Sequence, residues 1–206
     1  MNVTLIFSLA QYEATAEAYL AGLETLLASG GSPARTASVA SFFVSRVDTA
    51  VDAALVERGR PERQGHAAVD NARLAYARFR ELFAGPRWEK LARAGAQVQR
   101  PLWASTGTKN PAYPDTLYVD SLIGPDTVNT VPPATLQAFL EHGQPSLAIG
   151  QDLEGARARF ADLAASGIDF DAIARKLLAE GVAAFAQAFD GLLGSIATKQ
   201  AAVLKE

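Results

Sequence analysis

The residues best equipped for chemistry in this chain follow directly on apolar runs. Pro101 to Ala104 gives way abruptly to Ser105, Thr106, Gly107, Thr108, Lys109 and Asn110. That step is how a buried parallel strand looks where it ends in a polar, anion-friendly loop. Hydroxyls, one flexible glycine and one mobile ammonium form a set that can hold a phosphate. Taken alone, the segment also fits an ordinary strand followed by a Pro-rich turn. It does not stand alone: Ser8 follows the apolar run Val3–Phe7, and Arg46 follows the run Ala37–Val44, which carries Ser41 near its end.

Other chemistries lack their residues. Neither G-x-G-x-x-G nor G-x-x-x-x-G-K-[ST] occurs, so a nucleotide reading loses its main support. Without cysteine there is no disulfide framework and no thiolate metal site. His66 and His142 are far apart and lack H-x-x-x-H or H-E-x-x-H spacing, so no metal is expected. The formal net charge is -3 with no long run of one sign. Nonspecific nucleic-acid or anionic-membrane binding needs a concentrated basic face, and neither partner is expected. The opening MNVTLIFSLAQYEA has no basic n-region and only a few apolar residues. It reads neither as a signal peptide nor as a membrane span, and the expected location is the cytoplasm.

The elements that must position these residues alternate. The first strand, Val3–Phe7, precedes a helix over Leu9–Ala28 whose Leu9, Tyr12, Ala16, Leu20, Leu23 and Leu27 share a stripe. Ala37–Val44 is a second strand, followed by a short helix over Asp48–Arg58. Gln64–Phe83 is amphipathic through Val69, Ala72, Tyr76, Phe79 and Phe83, and Trp88–Ala94 continues it past Gly85–Pro86. Val98–Ala104 is the third strand, Leu117–Ile123 a brief helix, Thr127–Val131 the fourth strand, and Pro133–Glu141 a helix. From Leu153 onward the chain reads as helical, with one helix capped by Asp169 and carrying Phe170, Ile173, Leu177 and Leu178. Another helix spans Val182 to Leu193 and runs on to Leu204. Four strands separated by helices imply a parallel sheet built by crossovers, either doubly wound or part of a (βα) barrel. In both, the ligand edge lies at the strand ends where the polar residues gather. The 206 residues read as one domain, 49% hydrophobic and 20% charged.

Three segments, NVTLIFS at 2–8, SFFVSRVD at 41–48 and WASTGTKNPAY at 103–113, resemble the second half of transaldolases, the actinobacterial type in particular. The resemblance implies strands 5–8 of a TIM (β/α)8 barrel with extra C-terminal helices. It also implies the pentose phosphate reaction, in which a dihydroxyacetone unit passes from sedoheptulose 7-phosphate to glyceraldehyde 3-phosphate. Erythrose 4-phosphate and fructose 6-phosphate result, with no metal or organic cofactor. The family's lysine Schiff base withdraws electrons so that a carbon–carbon bond can break, and carboxylates move the protons. By resemblance these groups belong to the barrel's first half, so no Schiff-base lysine is expected among these residues.

The resemblance assigns substrate binding to Asn2, Ser41 and Ser105, a proton-relay water to Thr4, and the phosphate to Arg46 and Lys109. Arg46 would clamp it bidentately. Lys109 stands near the place of a second arginine in a loop two residues longer than the enterobacterial and mammalian pattern, and supplies charge without the planar fork. Thr4 also fits a simple strand former. Trp103, Asp48, Asn110 and Tyr113 are read as packing and loop residues, and both histidines as helix-surface residues. Met1 is the only methionine, and the expectation is that an internal codon was read as a start. The chain would then be a fragment, inactive alone, with open strand edges that pair with the missing N-terminal half or with each other. A non-catalytic sugar-phosphate-binding half barrel and an inert fragment are the alternatives.

Overall fold

Helix α1, Leu9–Ala28, opens where the Ser8 side chain accepts a hydrogen bond from the Gln11 amide at 3.3 Å, a serine N-cap. It buries Tyr12, Ala16, Tyr19, Leu20 and Leu23, and ends before Gly30, whose φ of 81° suits glycine. The computed structural model describes residues 1–203. Around α1 the order is β1 (Asn2–Ile6), β2 (Ser38–Phe43), α2 (Ser45–Glu57), α3 (Ala67–Leu82), α4 (Gly85–Arg93) and β3 (Gln99–Ala104). There follow α5 (Leu117–Asp120), β4 (Val128–Asn129), α6 (Pro133–His142), α7 (Leu153–Ala165) and α8 (Phe170–Val203).

The four strands form one parallel sheet in the order β1-β2-β3-β4. No strand reverses the order, which separates this sheet from a doubly wound one and fits a partial barrel. Strand alternation makes its two faces unlike. Val3, Ala40 and Pro101 stand side by side in the register, as do Phe42 and Trp103. On this side Ala40, Phe42, Pro101 and Trp103 are buried, the last pair meeting edge to face at 5.9 Å. On the other side Asn2, Thr4 and Arg100 are exposed, and Val39, Phe43 and Leu102 only half-buried.

Near its end β1 is irregular. The pairing shifts between Val3 and Ile6, where Leu5 takes a left-handed φ of 63°. Leu5 thereby reaches α8, where a Cβ at Gly181 would lie 2.9 Å from its Cδ2. That close approach leaves no room for a Cβ at this position, and the helix continues through the glycine.

The expected two C-terminal helices are therefore one, 34 residues long; Leu204 lies outside the described residues. The first part of α8 joins the core through Ala174, whereas Val182, Phe185, Phe189, Leu192, Leu193 and Ile196 are exposed. By length and composition α8 could also cross a membrane, yet its apolar residues recur on one stripe, the mark of a packing face. Three further boundaries differ from expectation. Helix α2 begins at Ser45, earlier than Asp48, and takes in Arg46. Helix α3 begins only at Ala67, after a 3-10 turn at Pro61–Arg63. Strand β4 keeps two residues, ahead of Pro132 and Pro133, which lack amide donors.

Candidate functional site

Three parallel neighbours send their C-terminal ends to one edge of the sheet. There Val44 N donates to Ala104 O at 2.9 Å and Ser45 N to Ser105 O at 3.0 Å, so the ends of β2 and β3 are tied beyond the strands themselves. Ser105 takes a φ of 58° and its Oγ lies 2.8 Å from Ser45 Oγ. This hydroxyl pair pins the root of the 105–116 loop to the first residue of α2.

On the uncovered face, Ser41 Oγ donates to Asn2 Oδ1 at 2.7 Å. Ser41 is buried beneath the exposed Asn2, and the bond uses the Asn2 carbonyl oxygen and leaves its NH2 as a donor. Thr4 is exposed one strand step away on the same face. Asn2, Thr4 and Ser41 are thus brought together, while Ser105 stands at the strand ends.

Arg46 is exposed in the first turn of α2, a favourable place for an anion. Its guanidinium sits 5.6 Å from the Phe43 ring centroid, and Phe43 packs in turn on Phe7 at 5.3 Å. A planar cation stacked on a ring keeps its N–H fork free in the plane. Lys109 is exposed and lines a 190 Å³ cavity with Asp48, Thr49, Asp52, Asn110, Tyr113 and Tyr118. Thr49 lies one helical turn beyond Arg46, so Lys109 stands against the second turn of the helix whose first turn carries Arg46. The ion pairs among the described residues involve other side chains.

Asp48, read from the sequence as a packing or loop residue at the start of a helix, is buried within α2. Its Oδ1 accepts from Ala68 N at 2.7 Å and its Oδ2 from Tyr118 Oη at 2.7 Å. Burial pushes its carboxyl up to about 6, against those two hydrogen bonds, which favour the ionised form. One turn on, Asp52 Oδ2 accepts from Tyr113 Oη at 2.5 Å and Oδ1 from Gly65 N at 3.0 Å. Burial and the Asp52 carboxylate both hold the Tyr113 phenol far above its ordinary range. The i, i+4 spacing of Asp48 and Asp52 with tyrosines at 113 and 118 is the only trace of this arrangement in the sequence.

Trp103 is a core residue, as expected. His66 lies exposed just before α3, and His142 closes α6 with its ring 2.8 Å from Asp115. Exposed and apart, they make no joint site. Among the described residues no cluster of His, Asp or Glu is arranged to hold a metal ion.

Comparison with known proteins places these features in context. Residues 1–196 match the family model described as transaldolase/fructose-6-phosphate aldolase. A transaldolase of Frankia alni is 52% identical over 201 residues, covering 96% of this chain and 54% of that protein. Transaldolase 1 of Streptomyces avermitilis is 52% identical over 206 residues, covering 96% and 53%. A transaldolase of Neisseria gonorrhoeae is 47% identical over 196 residues, covering 95% and 55%. The chain spans about half the length of the curated relatives it matches.

Proposed function

We propose, on the premise that this chain belongs to the transaldolase/fructose-6-phosphate aldolase family, that it forms the phosphate-gripping part of a transaldolase site. The four strands stand for strands 5–8 of a (β/α)8 barrel, and the uncovered sheet face is the barrel interior. The substrates are sugar phosphates between which a dihydroxyacetone unit passes in the pentose phosphate pathway, in the cytoplasm. Asn2 and Ser41 bind the hydroxyls, Thr4 holds the relay water, Ser105 meets the sugar, and Arg46 with Lys109 takes the phosphate.

One observation carries this reading. The polar residues of three neighbouring strands share one open face and one edge, with two cations at that edge. An oxyanion with several acceptors suits such a gathering.

The covalent step needs a lysine beside the bound ketone. Lys90 is in α4, Lys109 in a loop, and Lys176 and Lys199 in α8; Lys205 lies outside the described residues. No described lysine stands on a strand, which supports a nucleophile supplied by the polypeptide that completes the barrel. That partner covers the outer edge of β1, where a 510 Å³ groove lined by Val3, Tyr19, Leu23 and Leu26 lies open. Without it, the open edges of β1 and β4 pair with those of another copy. The same observation favours a second reading, a sugar-phosphate-binding module without chemistry.

Borohydride trapping with fructose 6-phosphate tests the division of labour. This chain alone should bind the sugar phosphate without a covalent adduct. Mixed with the N-terminal half of a relative, it should yield an adduct on the added half. An adduct mapped to a lysine of this chain would overturn the assignment, and failure to bind fructose 6-phosphate would overturn the site. Binding with no adduct even in the mixture would select the module.

A further inference from the structure

The 105–116 loop is held at both ends and free in the middle. At its start are the Ser105–Ser45 pair and a bond from Thr106 Oγ1 to Asn129 Oδ1 at 2.8 Å. Its far side is fastened by Tyr113 on Asp52. Asn110 turns the chain between them, its Oδ1 accepting from Ala112 N at 3.0 Å and its carbonyl from Tyr113 N at 3.1 Å. Lys109 stands at the apex, before that turn.

Asp52 is itself immobilised. Besides Tyr113 it holds Gly65 N, and its own carbonyl accepts from Gln64 Nε2 at 3.2 Å. Gly65 has a φ of 79°, and a Cβ there would lie 3.0 Å from Tyr113 Cζ. The left-handed glycine thus lets the 64–66 turn close against the tyrosine ring. One turn earlier on α2, Asp48 repeats the device with Tyr118, fixing the start of α5. Two carboxylates on one helix face therefore grip two tyrosines that bracket the end of the loop.

We propose that Tyr113 and Asp52 are positioning residues that latch the 105–116 loop onto α2 and so hold Lys109 beside Arg46 for a phosphate group. The inference rests on the phosphate role given to Lys109 above. A four-carbon ammonium stem carries large rotamer entropy and offers no planar fork. A rigid base compensates by confining the charge to the edge where the anion sits. The latch reaches the phosphate only through Lys109, so Tyr113 and Asp52 touch no reacting atom.

The experiment uses the chain as it is, with Tyr113→Phe and Asp52→Asn. Native-state trypsin cleavage after Lys109 reads the latch, with cleavage after Arg93, at the end of α4, as the internal reference. Losing a hydrogen bond to a charged acceptor should speed cleavage at Lys109 about tenfold while the Arg93 rate stays unchanged. Inorganic phosphate should slow Lys109 cleavage in the parent chain, and titration calorimetry should show phosphate and fructose 6-phosphate binding about fivefold weaker in Tyr113→Phe. A purely structural tyrosine would leave the phosphate protection unchanged.

Equal cleavage rates in a folded Tyr113→Phe chain would overturn the latch. Faster cleavage with undiminished phosphate binding would overturn the positioning role and leave the proposed site intact. A parent chain that binds no phosphate would sink the proposed site itself, and the positioning role with it.

Discussion

The two faces of the four-stranded sheet obey the same alternation and meet opposite fates. On one, Ala40, Phe42 and Trp103 disappear under helices and join a core shared with Tyr12, Leu20, Val51 and Phe79. On the other, Asn2 and Thr4 stay exposed beside Val39, Phe43 and Leu102. A soluble domain seldom leaves a mixed polar and apolar sheet face uncovered unless something is meant to lie there. The difference is between a face packed under helices and a face left open along the same strands. Helix α8 repeats the contrast along one element, since Ala174 is buried and Phe185 and Phe189 are not.

The sharpest way to break that comparison is truncation of neighbours in β3. Trp103 is buried and Leu102, the residue before it, faces the open side. Trp103→Ala should cost about 3–5 kcal/mol, the usual loss for a large aromatic in a packed core. Leu102→Ala should cost under about 1 kcal/mol. Urea unfolding of both variants measures the difference, and similar losses would mean that the two faces are equally packed.

A smaller effect sharpens the picture on the closed side. Asp48 has its carboxyl raised to about 6 by burial, above the ordinary unfolded value near about 4. Between those limits the folded chain binds more protons than the unfolded one. Stability from this group therefore falls as pH rises through that window and is flat above it. Asp48→Asn removes the titration while keeping an acceptor for Ala68 N. At pH 7.5 the variant should be more stable than the parent by about 1–3 kcal/mol, with the gain shrinking toward pH 5. Unfolding at both pH values decides it; a variant less stable at pH 7.5 would mean that the carboxylate's bonds to Tyr118 and Ala68 outweigh its desolvation.

What could be read from the chain alone follows the same division. The strand runs and the α1 stripe were legible because burial on one face imposes a strict period, and the structure keeps the four strands and their parallel order. Thr4, Asn2 and Ser41 were assigned through motif resemblance, and their shared face follows once strand alternation is applied. The carboxylate–tyrosine latch was not legible. Asp48 and Asp52 are separated from their tyrosines by 70 and 61 residues, and no local period marks a contact of that range. The unbroken α8 was missed for a related reason: Gly181 reads as a break in isolation, and the long-range contact with Leu5 that calls for a glycine there leaves no local mark. Nor did the pattern show that the distal half of α8 would lie exposed, because an apolar stripe announces a packing face without naming what covers it.

The smallest expected change tests that stripe. If Phe185, Phe189 and Ile196 face solvent in this chain, replacing each by serine leaves the folding equilibrium almost untouched. Surface positions typically move stability by less than about 0.5 kcal/mol, and helix propensity differs little between these residue types. The triple variant should therefore unfold within about 1.5 kcal/mol of the parent, three such increments, and elute later on size exclusion wherever the parent self-associates. A loss much larger than that would show the stripe buried within the chain's own fold. The contrast between open and closed faces would then be confined to the sheet.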